Sequence, residues 1–228
     1  MRIGGIIPLS LVDYPQKPAI TMFTSGCNLR CPFCHNSELI TGEGKISESK
    51  VFELLHKRVG EVEAVCISGG EPTIHDDLED WIREIRALGY SVKLDTNGAR
   101  PKAVATLLAD DLLDYVAVDI KSSPSRYGNA TGGRLEFAVV AEVIDCLKES
   151  GIAYELRTTA VPSLVELEDI KAIAQEIGLV QCFALQQFRP GKTLDPAFGK
   201  IRPHPQTWFE EAKRLLQDKA ATILVRGL

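Results

Sequence analysis

The strongest constraint on the fold of this chain is an alternation of short apolar stretches with longer amphipathic ones. The apolar stretches predict strands at residues 19–26, 64–70, 91–98, 115–121, 154–162 and 182–190, with a short terminal strand within 222–228. Helical patterns follow at residues 47–61, 76–89, 101–113, 136–151, 168–178 and 204–220. Apolar strands that alternate with helices are typical of a parallel sheet covered by helices.

The number of strand–helix units predicts an open form of this architecture. Right-handed crossover connections curl such a chain towards a barrel. Six units fall short of the eight that close a full barrel. We therefore expect an α/β fold, a partial (β/α)6 TIM-like barrel with an open parallel sheet. Since the chain contains no linker, repeat or low-complexity stretch, we expect a single domain over residues 1–228.

Polar clusters recur where the predicted strands end. Binding sites of parallel α/β proteins lie at the carboxyl ends of the strands. Six separate segments therefore predict one functional site at that edge. The clusters are Cys27–Cys34, Ser68–Pro72, Asp95–Gly98, Asp119 with Lys121, Arg157–Thr159, and Gln186 and Gln187 with Arg189.

The stretch "TSGCNLRCPFCHN" holds three cysteines, Cys27, Cys31 and Cys34, and no fourth cysteine nearby. A structural zinc ion takes four ligands, and His35 is too close to Cys34 to wrap the same ion easily. A redox C-x-x-C pair would leave Cys27 without a role. An iron–sulfur cubane held by three thiolates leaves one iron open for a substrate, and we favour that interpretation.

Composition narrows the class of protein. The net charge of −5 argues against a nucleic-acid surface, and no run of about 18 apolar residues indicates a membrane span. The amino-terminal residues do not resemble a signal peptide. Six cysteines, half of them in one octet, do not form a secreted disulfide framework, so we expect a cytoplasmic protein. Cys66, Cys146 and Cys182 are isolated and are interpreted as buried small side chains.

The C-x3-C-x2-C spacing at the end of the first predicted barrel strand, with Phe33 just before the last cysteine, resembles the radical S-adenosylmethionine (SAM) enzymes. The resemblance implies a [4Fe-4S] cluster on Cys27, Cys31 and Cys34, the metal ligands and catalytic residues. It implies that the amino and carboxylate groups of SAM bind the iron that has no cysteine ligand, with Phe33 beside the cofactor. The reduced cluster would cleave SAM to methionine and a 5′-deoxyadenosyl radical that abstracts hydrogen.

The other strand ends offer groups suited to SAM. Gly69 and Gly70 allow close backbone approach, and Glu71 can accept the protons of an aminium group, although a plain turn would also explain the three residues. Lys121 supplies a cation for the methionine carboxylate unless it is merely solvated. Arg157 lies in a buried strand and needs a partner, either the cofactor or Glu71.

Further candidates lie at the third, fourth and sixth strand ends. Asp95, Thr96 and Asn97 suit the ribose hydroxyls and the carboxylate region, or they cap the helix that follows. Asp119 precedes Lys121. Gln187 and Arg189 are candidates for the adenine or substrate side.

Four segments narrow the resemblance. "IGGIIPLSLVDYP", "CNLRCPFCHN", "LDTNG" and "VDIK" together resemble the glycyl radical enzyme activating enzymes, most closely the anaerobic ribonucleoside-triphosphate reductase activating proteins. The resemblance implies a glycyl radical enzyme as partner, expected to be anaerobic ribonucleotide reductase, and an electron donor such as flavodoxin or ferredoxin. It also implies a monovalent cation beside Asp95 and Asp119. Gln16 stands where relatives often have glycine.

Residues 122–134, "SSPSRYGNATGGR", are predicted to form a long loop on the catalytic rim. The loop either gates or docks the partner or is an exposed connector.

Two other functions stay open at this point. A 7-carboxy-7-deazaguanine synthase-like radical enzyme shares "GCNLRC", "GGEP" and "TNG" and would act on a small pterin. A non-catalytic iron–sulfur or zinc binding module is the other alternative.

Overall fold

The computed structural model describes residues 1–228 and contains eight strands and eight α-helices. The strands are β1 Ile3–Ser10, β2 Ala19–Thr24, β3 Ala64–Gly69, β4 Ser91–Thr96, β5 Tyr115–Asp119, β6 Ala153–Ala160, β7 Val180–Gln187 and β8 Ala220–Arg226. The helices are α1 Ser37–Ile40, α2 Glu48–Arg58, α3 Leu78–Ala87, α4 Pro101–Ala109, α5 Tyr127–Thr131, α6 Phe137–Ser150, α7 Leu167–Ile177 and α8 Gln206–Leu216. The strands follow one another in the sheet in the order β1 to β8.

The predicted fold class is confirmed, and each predicted strand and helix is present. The pairings of β2 with β3, β3 with β4, β6 with β7 and β7 with β8 are parallel, and the two end strands leave the sheet open. The number of strands was underestimated, because β1 precedes the first predicted strand and pairs antiparallel with β2. Gly4, Gly5 and Pro8 hide this strand in the sequence, and an edge position tolerates the proline.

The chain packs as two compact units, each assembled from interleaved stretches. The first unit comprises residues 1–28, 38–96 and 102–116, and the second comprises residues 29–37, 97–101 and 117–228. The single-domain prediction stays a prediction. None of the helices has the length and apolar content needed to span a membrane.

The core of the first unit lies between its strands and helices α2 and α3. Helix α3 has apolar side chains at helical spacing, and Trp81, Ile82 and Ile85 are buried. Phe52 of α2 meets Trp81 with ring centroids 5.1 Å apart. In the loop before β2, Gln16 has φ +63°, in the left-handed region that favours glycine.

The core of the second unit lies between β5–β8 and helices α6–α8. Phe183 and Leu185 of β7 are fully buried, as is Phe209 of α8. Helix α7 begins with a capping box. The Glu166 side chain accepts from the backbone N–H of Asp169, and the Asp169 side chain accepts from the backbone N–H of Glu166.

Residues 122–134 do not form the exposed loop that the sequence suggested. They fold as a 3-10 turn at Pro124–Arg126 followed by α5. Ser122, Ser123 and Tyr127 are buried, and the Ser123 hydroxyl donates to Asp169. The segment is therefore a structured part of the second unit, although seven of its thirteen residues are exposed. Whether it gates or docks a partner or is a connector without a role stays a prediction.

Candidate active site

In the first unit, Gly69, the last residue of β3, and Gly70, which follows it, are packed against the end of β2 and the residues after it. Gly69 has φ +116°, and a Cβ there would lie 2.3 Å from the backbone nitrogen of Thr24. A Cβ on Gly70 would lie 2.0 Å from the carbonyl oxygen of Gly26, which directly precedes Cys27. The predicted close backbone approach is thus made to the chain itself, and it holds β3 against the start of the cysteine stretch.

Glu71 follows these glycines and is fully buried. Its backbone N–H donates to the carbonyl of Gly26 at 2.9 Å. Its Oε1 accepts from the backbone N–H of Thr73 at 3.1 Å, from the Thr73 hydroxyl at 2.6 Å and from the Thr96 hydroxyl at 2.7 Å. These bonds fix the carboxylate in one orientation. Sequence reasoning missed Thr73, whose only signal was its place two residues after the glutamate.

Asp95 belongs to a polar layer on one face of β3 and β4. Its Oδ2 accepts from the Ser68 hydroxyl at 3.0 Å, and its Oδ1 accepts from the ammonium of Lys93. Lys93 is 1% exposed, and its Nζ lies 3.7 Å from the Cys66 sulfur. Since residues two apart on a strand share a face, Lys93 lies one layer below Asp95. Sequence reasoning did not include Lys93 in the site.

In the second unit, Cys31 and Cys34 lie in a tight turn, in which the backbone N–H of Cys34 donates to the carbonyl of Cys31 at 3.1 Å. Cys31 and Phe33 are buried. Burial raises the pKa of the Cys34 thiol, and the backbone N–H of Asn36 and the charge of Lys121 act in the opposite direction. The ammonium therefore favours the thiolate, which is the form that binds iron.

A segment after β7 packs on this turn. The backbone N–H groups of Leu194 and Asp195 donate to the carbonyls of Cys34 and Pro32, at 3.0 and 2.9 Å. His35 stacks on Phe188 with ring centroids 5.6 Å apart, and its Nδ1 lies 3.0 Å from the carbonyl oxygen of Lys192. His35 thus links the turn to the segment after β7.

The end of α5 supports the turn through Arg30. The backbone N–H of Arg30 donates to the carbonyl of Thr131 at 3.2 Å. Gly132 has φ +69°, and a Cβ on it would lie 2.6 Å from the carbonyl oxygen of Arg30. Residues 122–134 therefore include a direct backbone contact to the cysteine stretch.

Asp119, the last residue of β5, and Lys121, just after the strand, form an ion-pair cluster with Arg157 of β6. Arg157 Nε lies 2.8 Å from Oδ1 of Asp119, and Lys121 Nζ lies 3.0 Å from Oδ2. Burial raises the pKa of Asp119, but Arg157 and Lys121 outweigh burial and hold that pKa well below its usual range. Burial lowers the pKa of Lys121, but Asp119 and Cys31 outweigh it, so this pKa lies above its usual range. Arg157 therefore has the partner that burial requires, and it is Asp119.

The remaining predicted residues have local roles in the structure. Gln187 donates through Nε2 to the carbonyl of His204 at 2.9 Å, on the opposite face of β7 from Gln186. Gln186 pairs with Thr159 in register, on the face that carries Arg157, so Gln186 is the better candidate. Strand alternation was the signal that distinguishes the two glutamines.

Two other predicted residues lie at the ends of the site segments. The side chain of Asn97 accepts from the backbone N–H of Ala99 at 2.9 Å, in the turn that leads into α4. This contact is an Asx turn that precedes α4, and it caps no N–H group of the helix, which begins at Pro101. Arg189 is exposed, and its guanidinium would lie 3.6 Å from a Cβ on Gly227.

The donor chemistry of the cysteine stretch fits an iron–sulfur cluster. None of the six cysteines forms a disulfide, so Cys27, Cys31 and Cys34 are thiols, the ligands that such clusters take. The cation of Lys121, which Cys31 influences electrostatically, suits the negative charge that thiolates bring. No three His, Cys, Asp or Glu side chains converge on the position of a single metal ion.

Comparison with known proteins identifies the family. The profile of the Radical SAM superfamily matches residues 21–177. A protein of Methanocaldococcus jannaschii, named as a proposed glycyl-radical enzyme activating enzyme, is 32% identical over 99% of this chain and 96% of its own. A 7-carboxy-7-deazaguanine synthase of Aquifex aeolicus is 34% identical over 36% of each chain.

The fold comparison agrees. The crystal structure of Streptococcus suis SuiB bound to the precursor peptide SuiA matches with a TM-score of 0.69 and 16% identity, over 91% of this chain and 48% of that one. Both the family profile and the length of the archaeal match support one conclusion: this chain is an enzyme that belongs to the radical SAM superfamily.

Proposed function

We propose that this chain is the activating enzyme of a glycyl radical enzyme. The observation that carries the proposal is the match to the archaeal relative along almost the whole length of both chains, whose name states that activity. The match to the deazaguanine synthase, by contrast, covers about a third of each chain. Family membership implies a [4Fe-4S] cluster and SAM, and the bound cofactors supply a 5′-deoxyadenosyl radical.

In this proposal Cys27, Cys31 and Cys34 hold the cluster. Lys121 is the cation that faces the methionine carboxylate. Because Asp119 keeps the Lys121 side chain charged and fixed in direction, the site needs little reorganisation when an anion binds. Arg157 holds Asp119 from the opposite oxygen and completes the ion-pair cluster.

The buried groups of the first unit would orient the amino and ribose end of SAM. The Glu71 backbone and side chain are fixed by Gly26, Thr73 and Thr96. Asp95 is the acceptor that we assign to a hydroxyl or aminium group of SAM. A carboxylate that is already held by hydrogen bonds loses little freedom on binding.

The partner we propose is an anaerobic ribonucleotide reductase, with flavodoxin or ferredoxin as electron donor. The support is the combination of "SLVDYP", "LDTNG" and "VDIK" in this chain. A monovalent cation beside Asp95 and Asp119 stays a prediction; both carboxylates already pair with a lysine, Lys93 and Lys121 respectively. Cytoplasmic location likewise stays a prediction.

The test is electron paramagnetic resonance of the purified chain, prepared without oxygen and mixed with SAM, a reductant and the reductase. We expect a glycyl doublet that requires all components and that is abolished in Cys31→Ala. Cys146→Ala is the matched control, because that cysteine lies on α6 away from the predicted ligands, and it should leave the doublet unchanged.

One outcome would overturn the proposed activity, and a second would overturn the assignment of a cluster ligand. One is SAM cleavage that a carboxytetrahydropterin stimulates and that the reductase does not, which would favour the deazaguanine chemistry. The other is a doublet that persists in Cys31→Ala, which would remove that residue from the cluster.

A further inference from the structure

A buried lysine lies beneath the candidate SAM site of the first unit. Lys93 is among the largest side chains with less than 2% exposure, and it lies on β4 between two apolar neighbours, Val92 and Leu94. An ammonium group that leaves water loses its hydration, and the loss is tolerated only where an opposite charge compensates for it. Lysine at such a place therefore needs a specific reason.

The ammonium of Lys93 contacts a carboxylate, and a cysteine and an aromatic ring lie beside it. Its Nζ donates to Oδ1 of Asp95. Cys66, its register partner on β3, lies beside it at 3.7 Å, and the Tyr115 ring centroid lies 5.9 Å from Nζ. Tyr14 packs on Tyr115, with centroids 6.0 Å apart. The ammonium of Lys93 is thus directed towards Asp95.

Asp95 is held from two sides. Lys93 contacts one carboxylate oxygen, and Ser68 donates to the other at 3.0 Å. The Asp95 side chain retains partial exposure, at 12%, whereas the Lys93 side chain is 2% exposed. The arrangement places a fixed, charged acceptor at the carboxyl end of β4, and places the group that fixes it one layer deeper.

We propose that Lys93 is a positioning residue for SAM, which acts by holding the Asp95 carboxylate in one orientation towards the cofactor. The inference rests on the part of the proposed function that assigns Asp95 to SAM. It does not depend on the identity of the protein partner. A lysine that only fills the core would stabilise the fold and leave the affinity for SAM unchanged.

The experiment is a double-mutant cycle on the full chain with its cluster reconstituted. SAM is titrated, and its dissociation constant is read from the change in the electron paramagnetic resonance signal of the reduced cluster. The variants are Lys93→Met, Asp95→Asn and the double variant. Lys93→Gln, which keeps a donor, is used by the same criteria if Lys93→Met does not retain the cluster.

We expect Lys93→Met and Asp95→Asn each to weaken SAM binding about tenfold, the effect of losing one charge-assisted contact. The double variant should bind within about twofold of Asp95→Asn, because Lys93 acts through Asp95. Arg86→Met is the matched control. It removes an ion pair with Asp114 at 2.6 Å in the same unit, and should lower the melting temperature without changing SAM affinity.

Three results would overturn the inference. They are a Lys93→Met protein with lower stability and unchanged SAM affinity, losses that multiply in the double variant, and an Asp95→Asn protein that binds SAM normally. A chain that gives the expected cycle yet forms no glycyl doublet with the reductase would retain this inference and lose the proposed partner. A chain that forms the glycyl doublet with the reductase but does not give the expected cycle would retain the proposed partner and lose this inference.

Discussion

Asp119 is a partly exposed carboxylate that two neighbouring cations hold in its charged form. Its two oxygens face Arg157 and Lys121, at 2.8 and 3.0 Å. The sequence predicted all three residues as site residues, and it also predicted that Arg157 would need a partner. The identity of that partner could not be predicted, because it depends on which side chains of β5 and β6 share a face.

Arg157→Met should lower the free energy of unfolding by about 2 kcal/mol, because Asp119 would keep one cation where it had two. The loss should be smaller than for a fully enclosed pair, since the Asp119 side chain is 29% exposed. Arg126→Met is the matched control, because Arg126 also pairs with an aspartate, Asp169, but its side chain is 43% exposed. Loss of this exposed ion pair should lower the free energy of unfolding by less than about 1 kcal/mol. Urea unfolding of the cluster-free chain at pH 7 measures both, and equal losses would contradict the ranking.

The same substitution should change the acid sensitivity of the chain. In the native chain the pKa of Asp119 lies below the value of about 3.9 for an unfolded aspartate. The resulting stability is present above that value and is lost as pH falls through the lowered pKa. Arg157→Met brings the folded pKa closer to the unfolded one. The stability difference between the two proteins should therefore be constant above about pH 4 and shrink below it, where Asp119 of the folded variant takes up a proton before Asp119 of the wild type. A difference that stays constant down to the pH at which both proteins unfold would show that Asp119 does not titrate as inferred.

Segments distant in sequence hold the cysteine turn, and this support was the least predictable part of the site. Residues 29–34 are contacted by Thr131 and Gly132 on one side and by Leu194 and Asp195 on the other. These are mostly backbone contacts, and backbone contacts between loops leave no pattern of residue types in a sequence. The glycine-rich composition of residues 122–134 predicted a loop, whereas burial of Tyr127 and Ala130 drives that segment into a short helix.

Gly132→Ala should disturb the cysteine turn. The added Cβ would lie 2.6 Å from the Arg30 carbonyl oxygen, and φ +69° is unfavourable for alanine by about 1 kcal/mol. Gly133→Ala is the matched control, because Gly133 has φ +71° and no atom within 4 Å of its Cβ position. The unfavourable backbone conformation should lower the stability of both variants. Only Gly132→Ala should also retain less iron per chain after anaerobic reconstitution. Equal iron contents, measured beside thermal unfolding, would mean that Arg30 can move without consequence for the cluster.

Over the whole molecule, the alternation of strands and helices could be predicted from the sequence. The charged residues on the faces of the strands could not. The strands were interpreted as nearly continuous apolar runs, but polar residues two apart share one face: Lys93 and Asp95 on β4, and Glu155 and Arg157 on β6. Closed barrels fill the corresponding face with branched apolar side chains. Ion pairing decides which charges are tolerated there, and the partners come from strands that the sequence does not order.

The last strand provides the sharpest example. Arg226 of β8 reaches across β7 to Glu155 of β6, with two contacts of 3.0 and 2.7 Å, and it joins residues 71 positions apart. Glu155 is 1% exposed, so Arg226→Met should leave a buried carboxylate without this guanidinium and lower the free energy of unfolding by about 3 kcal/mol. Replacing both residues by leucine should recover most of the loss, because an apolar pair removes the uncompensated charge. Urea unfolding of the wild type and both variants measures the two steps. If the double variant were no more stable than Arg226→Met, the cost would come from lost packing of β8 and not from the stranded charge.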